Sequence, residues 1–480
     1  MSNDRIGHAP SVHPAMDEYA GHFMAGIEAL PTYRSTVGCV IPAYNEEEAI
    51  ADVLDSLLAQ TLLPDAIHVI VNNTTDATVE IASHYAGLHT RGEGRDEQMT
   101  EIFVHDIGEN PDKKVGALNY GYTLVEGMDY LLGVDGDTTA DPRAIEYLVQ
   151  EIQDDDRIGG ISAIYSIDDS GVDTLMGKFL IAGQRAQFAA FNMQNLLRGR
   201  NMAVLGGQYS IFSTEALRKV VQQTHQRYPW VRDSEIEDAL LSLQIKSAGY
   251  LTKISARARA NVGGMNDMRS LDAQQVKWNT GGIDLMWPGQ RGDTKGQPLH
   301  PNLRLRWFEN FSMVINGCTR WMFFFLLISS LILNAFVFLA FWLVPTIVAT
   351  LLNLRIAHSM ESATRRDYLF ALLWVPAELY MWIRLGHFAR SWTKFFSSSQ
   401  TDNWALQARA ESGSGGWAYL SPIALVVITL SAAVAIWTQL SEDLQSTVLL
   451  AGWTSLGIIT ILQTAWLAIK LCRRYKGFTT

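Results

Sequence analysis

The chain holds 480 residues, 48% of them hydrophobic, with a formal net charge of −11. That balance argues against a nucleic-acid partner, and the three cysteines, Cys39, Cys318 and Cys472, stand too far apart for a zinc site or a disulfide framework. The average also conceals a division: residues 1–310 read as a globular α/β protein, whereas the chain after Arg320 is strongly apolar with long charge-free runs.

The N-terminal extension, 1–36, carries Asp, Glu, His and Arg and lacks an apolar core, so no signal peptide is read and the following domain is expected in the cytosol. Residues 15–30 have helical apolar spacing, which suits a packed helix or one lying on a membrane surface. Residues 37–44 (VGCVIPAY) open with a short apolar run, ended by Pro42, that reads as a buried strand, and 46–58 has helical spacing. A second strand is expected at 68–71 (HVIV), followed by the turn-rich 72–76 (NNTTD). A third strand is expected at 102–106 and a fourth at 130–134, ending at Asp135. This alternation predicts an α/β fold with a mainly parallel sheet and helices on both sides. Ligands of such sheets bind at the C-terminal strand ends.

Several candidate motifs fall at those ends. Asp135-Gly136-Asp137 places two carboxylates two residues apart after a buried strand, which suits a hard divalent cation shared with a diphosphate, although acidic turns are common. Lys113 and Lys114 open a helical stretch where a lysine meets phosphate as a point charge; a solvated pair is the plainer reading. Glu237 and Asp238 begin an amphipathic helix, either as partners of its dipole or with one carboxylate as general base. Residues 274–278 (QQVKW) combine an amide, a cation and an indole able to stack on a sugar; a surface helix with one buried Trp is the alternative.

In the apolar half, residues 321–354 carry no charge. As one straight helix they would measure about 51 Å against a hydrocarbon core of roughly 30 Å. Two spans, 321–337 and 339–354, turning near Asn334, fit better than one long span ending near Pro345. Further spans are expected at 418–438 and 447–470. The segment 368–388 holds Pro376, Glu378 and Arg384 and is read as interfacial, with a spanning helix as the rival. Basic residues favour the cytosolic side. They place Arg355, Arg365, Arg366, Arg390, Lys394, Arg409, Lys470, Arg473, Arg474 and Lys476 there, with the acidic link 441–445 outside. Four spans with both termini in the cytosol result. Residues 301–320, with Arg304, Arg306, Trp307, Phe308 and Phe311, suit an amphipathic interfacial helix. Residues 389–417 form a polar loop within the membrane domain, 321–476.

Together these motifs resemble the processive family 2 glycosyltransferases, the cellulose, chitin and hyaluronan synthases, over roughly residues 37–280. Ile41-Pro42-Ala43-Tyr44-Asn45-Glu46 is similar to the family's P-x-Y-N-E strand end, and 72–78 (NNTTDAT) occupies its nucleotide loop. Residues 114–119 resemble its K-x-x-A-L-N segment, and Asp135-Gly136-Asp137 its metal-binding motif. Gly206-Gly207-Gln208 stands at the acceptor-side glycine segment, Glu237-Asp238 at the catalytic E-D, and 274–278 at Q-x-x-R-W.

The resemblance implies a Rossmann-like GT-A domain over 37–300, a UDP-sugar donor, Mg²⁺ or Mn²⁺, and inversion at the anomeric carbon. It implies that Pro42, Tyr44, Glu46, Asn73 and Asp76 line the nucleotide pocket, with Lys114, Gln274 and Lys277 at the diphosphate. Asp135 would meet nucleotide and metal, Asp137 the metal, and Asp238 would deprotonate the acceptor. Gly206, Gly207, Gln208, Glu237 and Trp278 would face the acceptor. A gating loop is expected near Thr401, Trp404 and Arg409. The chain departs from the family at Asn72-Asn73, where relatives carry Asp, at Lys277, where they carry Arg, and in showing no span before the catalytic domain.

The expected function is therefore a hexosyltransferase of the plasma (inner) membrane, multi-pass, building and exporting a β-linked polysaccharide. The alternative is a non-processive transferase that adds one sugar to a lipid-linked acceptor. Expected partners are the UDP-sugar, a glycan or lipid-linked acceptor, the lipid bilayer and a second copy of the chain, with no nucleic acid. A transporter or a non-catalytic scaffold fits worse, because intramembrane charges are few and Asp135, Asp137 and Asp238 are present.

Overall fold

Strand β1 (Val37–Ala43) is buried at every position, as expected of an apolar run covered on both faces. It belongs to a computed structural model that describes residues 34–94, 97–168, 171–232, 234, 236–287, 301–335, 342–397, 409–410 and 417–472. The chain divides into Met1–Thr36 and Val37–Thr480. The helix expected at 15–30 lies outside the described residues, as do Thr401 and Trp404.

After β1 come α1 (Ile50–Leu58), β2 (Ala66–Val71), α2 (Thr78–Ser83), β3 (Gly87–Arg91), β4 (Gln98–Asp106), α3 (Lys113–Val125), β5 (Tyr130–Val134), β6 (Thr139–Ala140) and α4 (Ala144–Gln153). The second half adds β7 (Ile158–Ile167), α5 (Leu175–Leu197), β8 (Tyr209–Ser213), α6 (Thr214–Thr224), α7 (Glu237–Ser247), β9 (Leu251–Val262) and α8 (Met268–Met286). In α1 the buried residues Ile50, Val53, Leu54 and Leu57 recur at helical spacing. Helix α8 starts where the Asp267 carboxylate accepts from the amides of Arg269 (2.8 Å) and Ser270 (3.1 Å).

The strands form one sheet, ordered β3-β4-β2-β1-β5-β8-β7-β9-β6. Helices cover both faces, giving two apolar clusters, one with α1 and α4 and one with α3, α6 and α7. This is the α/β, GT-A-like architecture expected. The sheet is mixed, however, rather than mainly parallel. Neighbours among β4-β2-β1-β5 are parallel, as is β7 with β9, but β3 on β4, β8 on both β5 and β7, and β6 on β9 are antiparallel. The long α5 returns the chain so that β8 enters beside β5 from the opposite direction, with Tyr209 opposite Val134. The Ala43 carbonyl accepts from Asn72 N, so the Pro42 position faces β5, whose ladder with β1 ends at Val40 and Gly133. The proline's missing N–H therefore costs no sheet hydrogen bond.

Among the described residues the α-helices that follow are α9 (Pro301–Ile332), α10 (Leu343–His358), α11 (Arg365–Leu372), α12 (Trp374–Phe396), α13 (Ser421–Trp437) and α14 (Glu442–Cys472). Three stretches, Arg306–Ile332, Ala418–Trp437 and Glu442–Cys472, are long and apolar enough to cross a membrane. The expected boundary at 320/321 is not a break, because α9 runs unbroken through residues without proline after its first position. It ends near Asn334, in the left-handed region at φ 52°. The segment expected as one interfacial piece, 368–388, is split instead. Leu373 is extended, with Pro376 just beyond, and α11 and α12 meet at 84°. The α/β domain packs directly on these helices. Ala189, Met193 and Leu197 of α5 pack on Leu352, Ile356 and Leu471. Leu180 and Leu271 pack on Phe370 and Tyr380.

Candidate active site

The antiparallel entry of β8 builds the site. Asp135 N donates to the Gln208 carbonyl (3.0 Å), so Gly206-Gly207-Gln208 lies against the end of β5. Lys114, in the first turn of α3, reaches the same place: its Nζ is 2.6 Å from Asp135 Oδ1 and 3.7 Å from Glu237 Oε1. A Cβ on Gly207 would stand 3.2 Å from that Nζ. Glycine here lets a cation and two carboxylates meet beside the backbone.

Burial works against the charge of Lys114, but Asp135 and Glu237 outweigh it and hold the ammonium above its usual range. Burial pushes the Glu237 carboxyl up to about 6, with Lys114 opposing and Asp238 reinforcing the rise. Asp238 is raised too, first by burial, with Lys114 opposing; its Oδ1 accepts from Ala239 N at 2.7 Å. Lys277, on α8, is buried and adds its charge beside Glu237.

Asp137 opens to solvent, yet the protein mass around it and the charge of Asp135 push its carboxyl up to about 6. Thr138 Oγ1 donates to its Oδ1 at 3.2 Å. A Cβ on Gly263 would come within 3.1 Å of Asp137 Oδ2, and one on Gly136 within 2.8 Å of Glu46 Cγ. Glu46 thus packs directly on the Asp135-Gly136-Asp137 turn.

The loops after β1 and β2 brace each other. Asn45, left-handed at φ 54°, accepts from Thr75 N (2.9 Å), and Glu46 N donates to Thr78 Oγ1 (2.8 Å). Asp76 accepts from the amides of Glu47 (3.1 Å) and Thr78 (3.0 Å). Burial tends to raise the Asp76 carboxyl, but the Thr78 hydroxyl, which donates to its Oδ1 at 2.5 Å, and then these amides hold it below the usual carboxylate range. With Asn45, Glu46 and Thr75 it lines a cleft of about 390 Å³. Tyr44, 47% exposed, follows the end of β1.

Other expected site residues are used differently. Asn73 Nδ2 donates to the Asn110 carbonyl and its Oδ1 accepts from Asn110 N, both at 2.8 Å. Its amide thus ties the loop after β2 to the loop before α3. Asn119 likewise clamps the Trp230 backbone, at 2.9 and 3.1 Å. Gln274 and Trp278 are half-buried on α8, and no contact among the described residues joins them or Pro42 to the charged cluster. Gln275, unremarked in the sequence, is the buried amide of that motif, and it accepts from Gln187 Nε2 at 3.4 Å. Gly263 has no role in the sequence reading, and Arg306 stands there only as part of the interfacial helix. Arg306 contributes charge beside Asp238 and fits over Gly282, where a Cβ would stand 2.8 Å from its Nη1. The glycine pair closing β9 was the one available signal for the former.

Residues 39–221 match the family model described as glycosyl transferase family 2. The chain is 25% identical over 247 residues to a poly-beta-1,6-N-acetyl-D-glucosamine synthase of Staphylococcus aureus, covering 52% of this chain and 54% of the relative. It is 22% identical over 256 residues to the synthase of the same name from Staphylococcus epidermidis, covering 52% and 57%. The chain thus spans about half the length of the curated relatives it matches. Among solved structures, a mannosyltransferase from Pyrobaculum calidifontis in complex with GDP-Man and Mn²⁺ aligns at 14% identity over 88% of this chain and 96% of that one, with a TM-score of 0.39. A Staphylococcus aureus TarS fragment in complex with UDP aligns at 13% identity over 79% and 92%, with a TM-score of 0.35. Residues 39–221 thus carry a glycosyl transferase family 2 domain, homologous to the poly-beta-1,6-N-acetyl-D-glucosamine synthases.

Proposed function

We propose that this glycosyltransferase is an inverting membrane enzyme that moves a sugar from a UDP-sugar to a growing β-linked polysaccharide and delivers it across the membrane. The observation that carries the reading is the convergence of Lys114, Asp135, Glu237 and Asp238 at the C-terminal end of β5. The poly-beta-1,6-N-acetyl-D-glucosamine synthases matched above favour a polymer product and an N-acetylhexosamine donor. Three helices among the described residues, apolar enough to span, are the support for a multi-pass membrane protein, and the basic residues flanking the apolar segments favour the cytosolic side of the inner membrane for the catalytic domain.

In the proposed reaction Asp238 takes the proton of the acceptor hydroxyl. The oxygen then forms its bond to the anomeric carbon as the bond to the diphosphate oxygen breaks, and UDP departs. Burial lifts the Asp238 carboxyl toward the working pH, which suits a general base. Lys114 faces the departing diphosphate as a compact charge.

The donor set fits Mg²⁺ or Mn²⁺. Asp135 and Asp137 offer hard oxygen ligands, and Asp137 is solvent-accessible and raised by its neighbour's charge, a condition a cation relieves. Among the described residues no three His, Cys, Asp or Glu side chains gather to hold an ion, so these two would share it with substrate oxygens. When bound, the ion neutralises charge on the leaving diphosphate.

The test is incubation of the purified protein with a panel of labelled UDP-sugars, followed by sizing of the product. A high-molecular-weight product from one donor is expected. A single-sugar lipid product would replace the polymer reading with transfer to a lipid-linked acceptor, and no transfer from any UDP-sugar would overturn the donor class.

A further inference from the structure

On the side of the sheet facing α5, away from the charged cluster, lies a second pocket of about 520 Å³. Its walls are α5, the ends of β7 and β9, and the turn between α10 and α11. Ile164, Leu196 and Met360 give it an apolar side. Three arginines, Arg185, Arg259 and Arg355, face two carboxylates, Asp141 and Glu361.

Those arginines are not equivalent. Arg185 is committed to Asp367 and to the carbonyls of Ile167 and Ser362. Arg259 pairs with Glu361. Arg355, exposed in the last turn of α10, has no carboxylate partner among the described residues; its Nη1 approaches only Cys472 Sγ, at 3.8 Å. A second group is also unsatisfied. Asn192, 5% exposed, donates from Nδ2 to the Tyr165 carbonyl at 2.8 Å, but its Oδ1 has no partner among the described residues. Among the described residues, the pocket thus presents Arg355 as a cation without a carboxylate partner and Asn192 Oδ1 as a buried acceptor without a donor, beside the carboxylates Asp141 and Glu361.

Its place in the fold limits what fills it. Helix α10 and the end of α14 pack on α5 beside the pocket, through Leu352, Ile356 and Leu471. On α10, Val344, Ile347 and Leu351 are 56%, 54% and 60% exposed and recur at helical spacing toward Arg355. This apolar stripe ends at the Arg355 guanidinium.

We propose that the pocket holds the headgroup of an anionic phospholipid, its phosphate on Arg355 and a headgroup hydroxyl turned to Asn192 Oδ1, with an acyl chain along Val344, Ile347 and Leu351. The proposal rests on α10 and α14 entering a bilayer and is independent of the reaction at Asp238.

The experiment is native mass spectrometry of the full chain titrated with phosphatidylglycerol or with phosphatidylcholine of equal chain length. Phosphatidylglycerol is expected to bind roughly fivefold more than phosphatidylcholine. Arg355→Glu is expected to remove that preference, and Lys219→Glu, the same charge change on the exposed face of α6, to keep it. Arg355→Gln supplies the reading if the glutamate variant does not fold. Equal binding of the two lipids, or an unchanged preference in Arg355→Gln, overturns the proposal. So does displacement of bound lipid by glycerol 3-phosphate alone, which would assign a soluble anion. Release of the wild-type chain from membranes by alkaline carbonate would instead remove the membrane reading.

Discussion

Lys114 Nζ stands 2.6 Å from Asp135 Oδ1, joining two residues whose segments enter the site from different strands of the sheet. The ammonium also offsets Glu237 and Asp238. Removing it leaves three carboxylates crowded in a half-buried site, which costs about 3–5 kcal/mol when such a charge loses its partner in a protein interior. Lys114→Met is therefore expected to lower the melting temperature and to cut transfer by about 100-fold or more. Thermal unfolding and initial rates check the two effects; a variant of normal activity would show that the cation serves only packing.

Asp238→Asn keeps the size and removes the base. Transfer is expected to fall by about 10²–10⁴-fold, the usual share of a general base. Donor binding, read by calorimetry with UDP, should stay within about twofold, because the substitution removes one of several carboxylates around Lys114. Loss of both would reassign Asp238 to the donor pocket.

How much of this was legible beforehand differs by element. Strands β1, β2, β4 and β5 were readable because parallel, doubly covered strands are continuous apolar runs. Strand β9 was not, because Arg257 and Arg259 interrupt its apolar positions on the less buried face. The motif residues could be named, but their meeting could not. Lys114, Asp135 and Glu237 lie in separate segments of the sequence and meet only through tertiary contacts, at 2.6 and 3.7 Å. The role of Asn73 in bracing the fold was equally illegible: an amide suits a nucleobase and an opposing backbone alike, and Asn110 bonds both of its ends. Arg304 and Arg306 made the first turns of α9 look like a separate interfacial element, although nothing there breaks a helix.

Gly263→Ala tests the setting of Asp137. The added Cβ would sit 3.1 Å from Oδ2, closer than normal packing, so the carboxylate must move by a few tenths of an ångström. Misplacement of a ligand shell weakens a site without unfolding it. The expected outcome is an unchanged melting temperature, about 10-fold lower transfer and a higher Mn²⁺ requirement. Equal metal dependence in variant and parent would remove Asp137 from the ion's ligands.

His68 and His105 face each other from β2 and β4, Nδ1 to Nε2 at 3.2 Å, and His68 stacks on Phe103 at 5.0 Å. Burial, then the charge of His105, lowers the His68 pKa to about 4. The folded state thus favours the neutral ring. Its contribution is present above the unfolded value near 6.5 and is lost as pH falls from there to about 4. The melting temperature should drop across that window, and His68→Phe, which keeps the stack, should flatten the drop. A parallel decline in the variant would place the acid sensitivity elsewhere.

Arg185 and Asp367 tie the transferase domain to the helical half. Nε and Nη2 of Arg185 donate to the two carboxylate oxygens at 2.9 and 3.0 Å, and both side chains are almost fully buried. Asp367 also closes a capping box with Thr364 at the start of α11. Breaking one side of such a pair strands a buried charge, so Asp367→Asn is expected to cost about 3–5 kcal/mol. Replacing both partners with apolar residues of similar size removes the stranded charge, and Arg185→Met with Asp367→Leu should recover part of that loss. Because the pair bridges α5 and α11, the single variant should also loosen the junction, read as faster hydrogen exchange in α11. If the double variant is no more stable than Asp367→Asn, the cap on Thr364, rather than the ion pair, is what holds α11 in place.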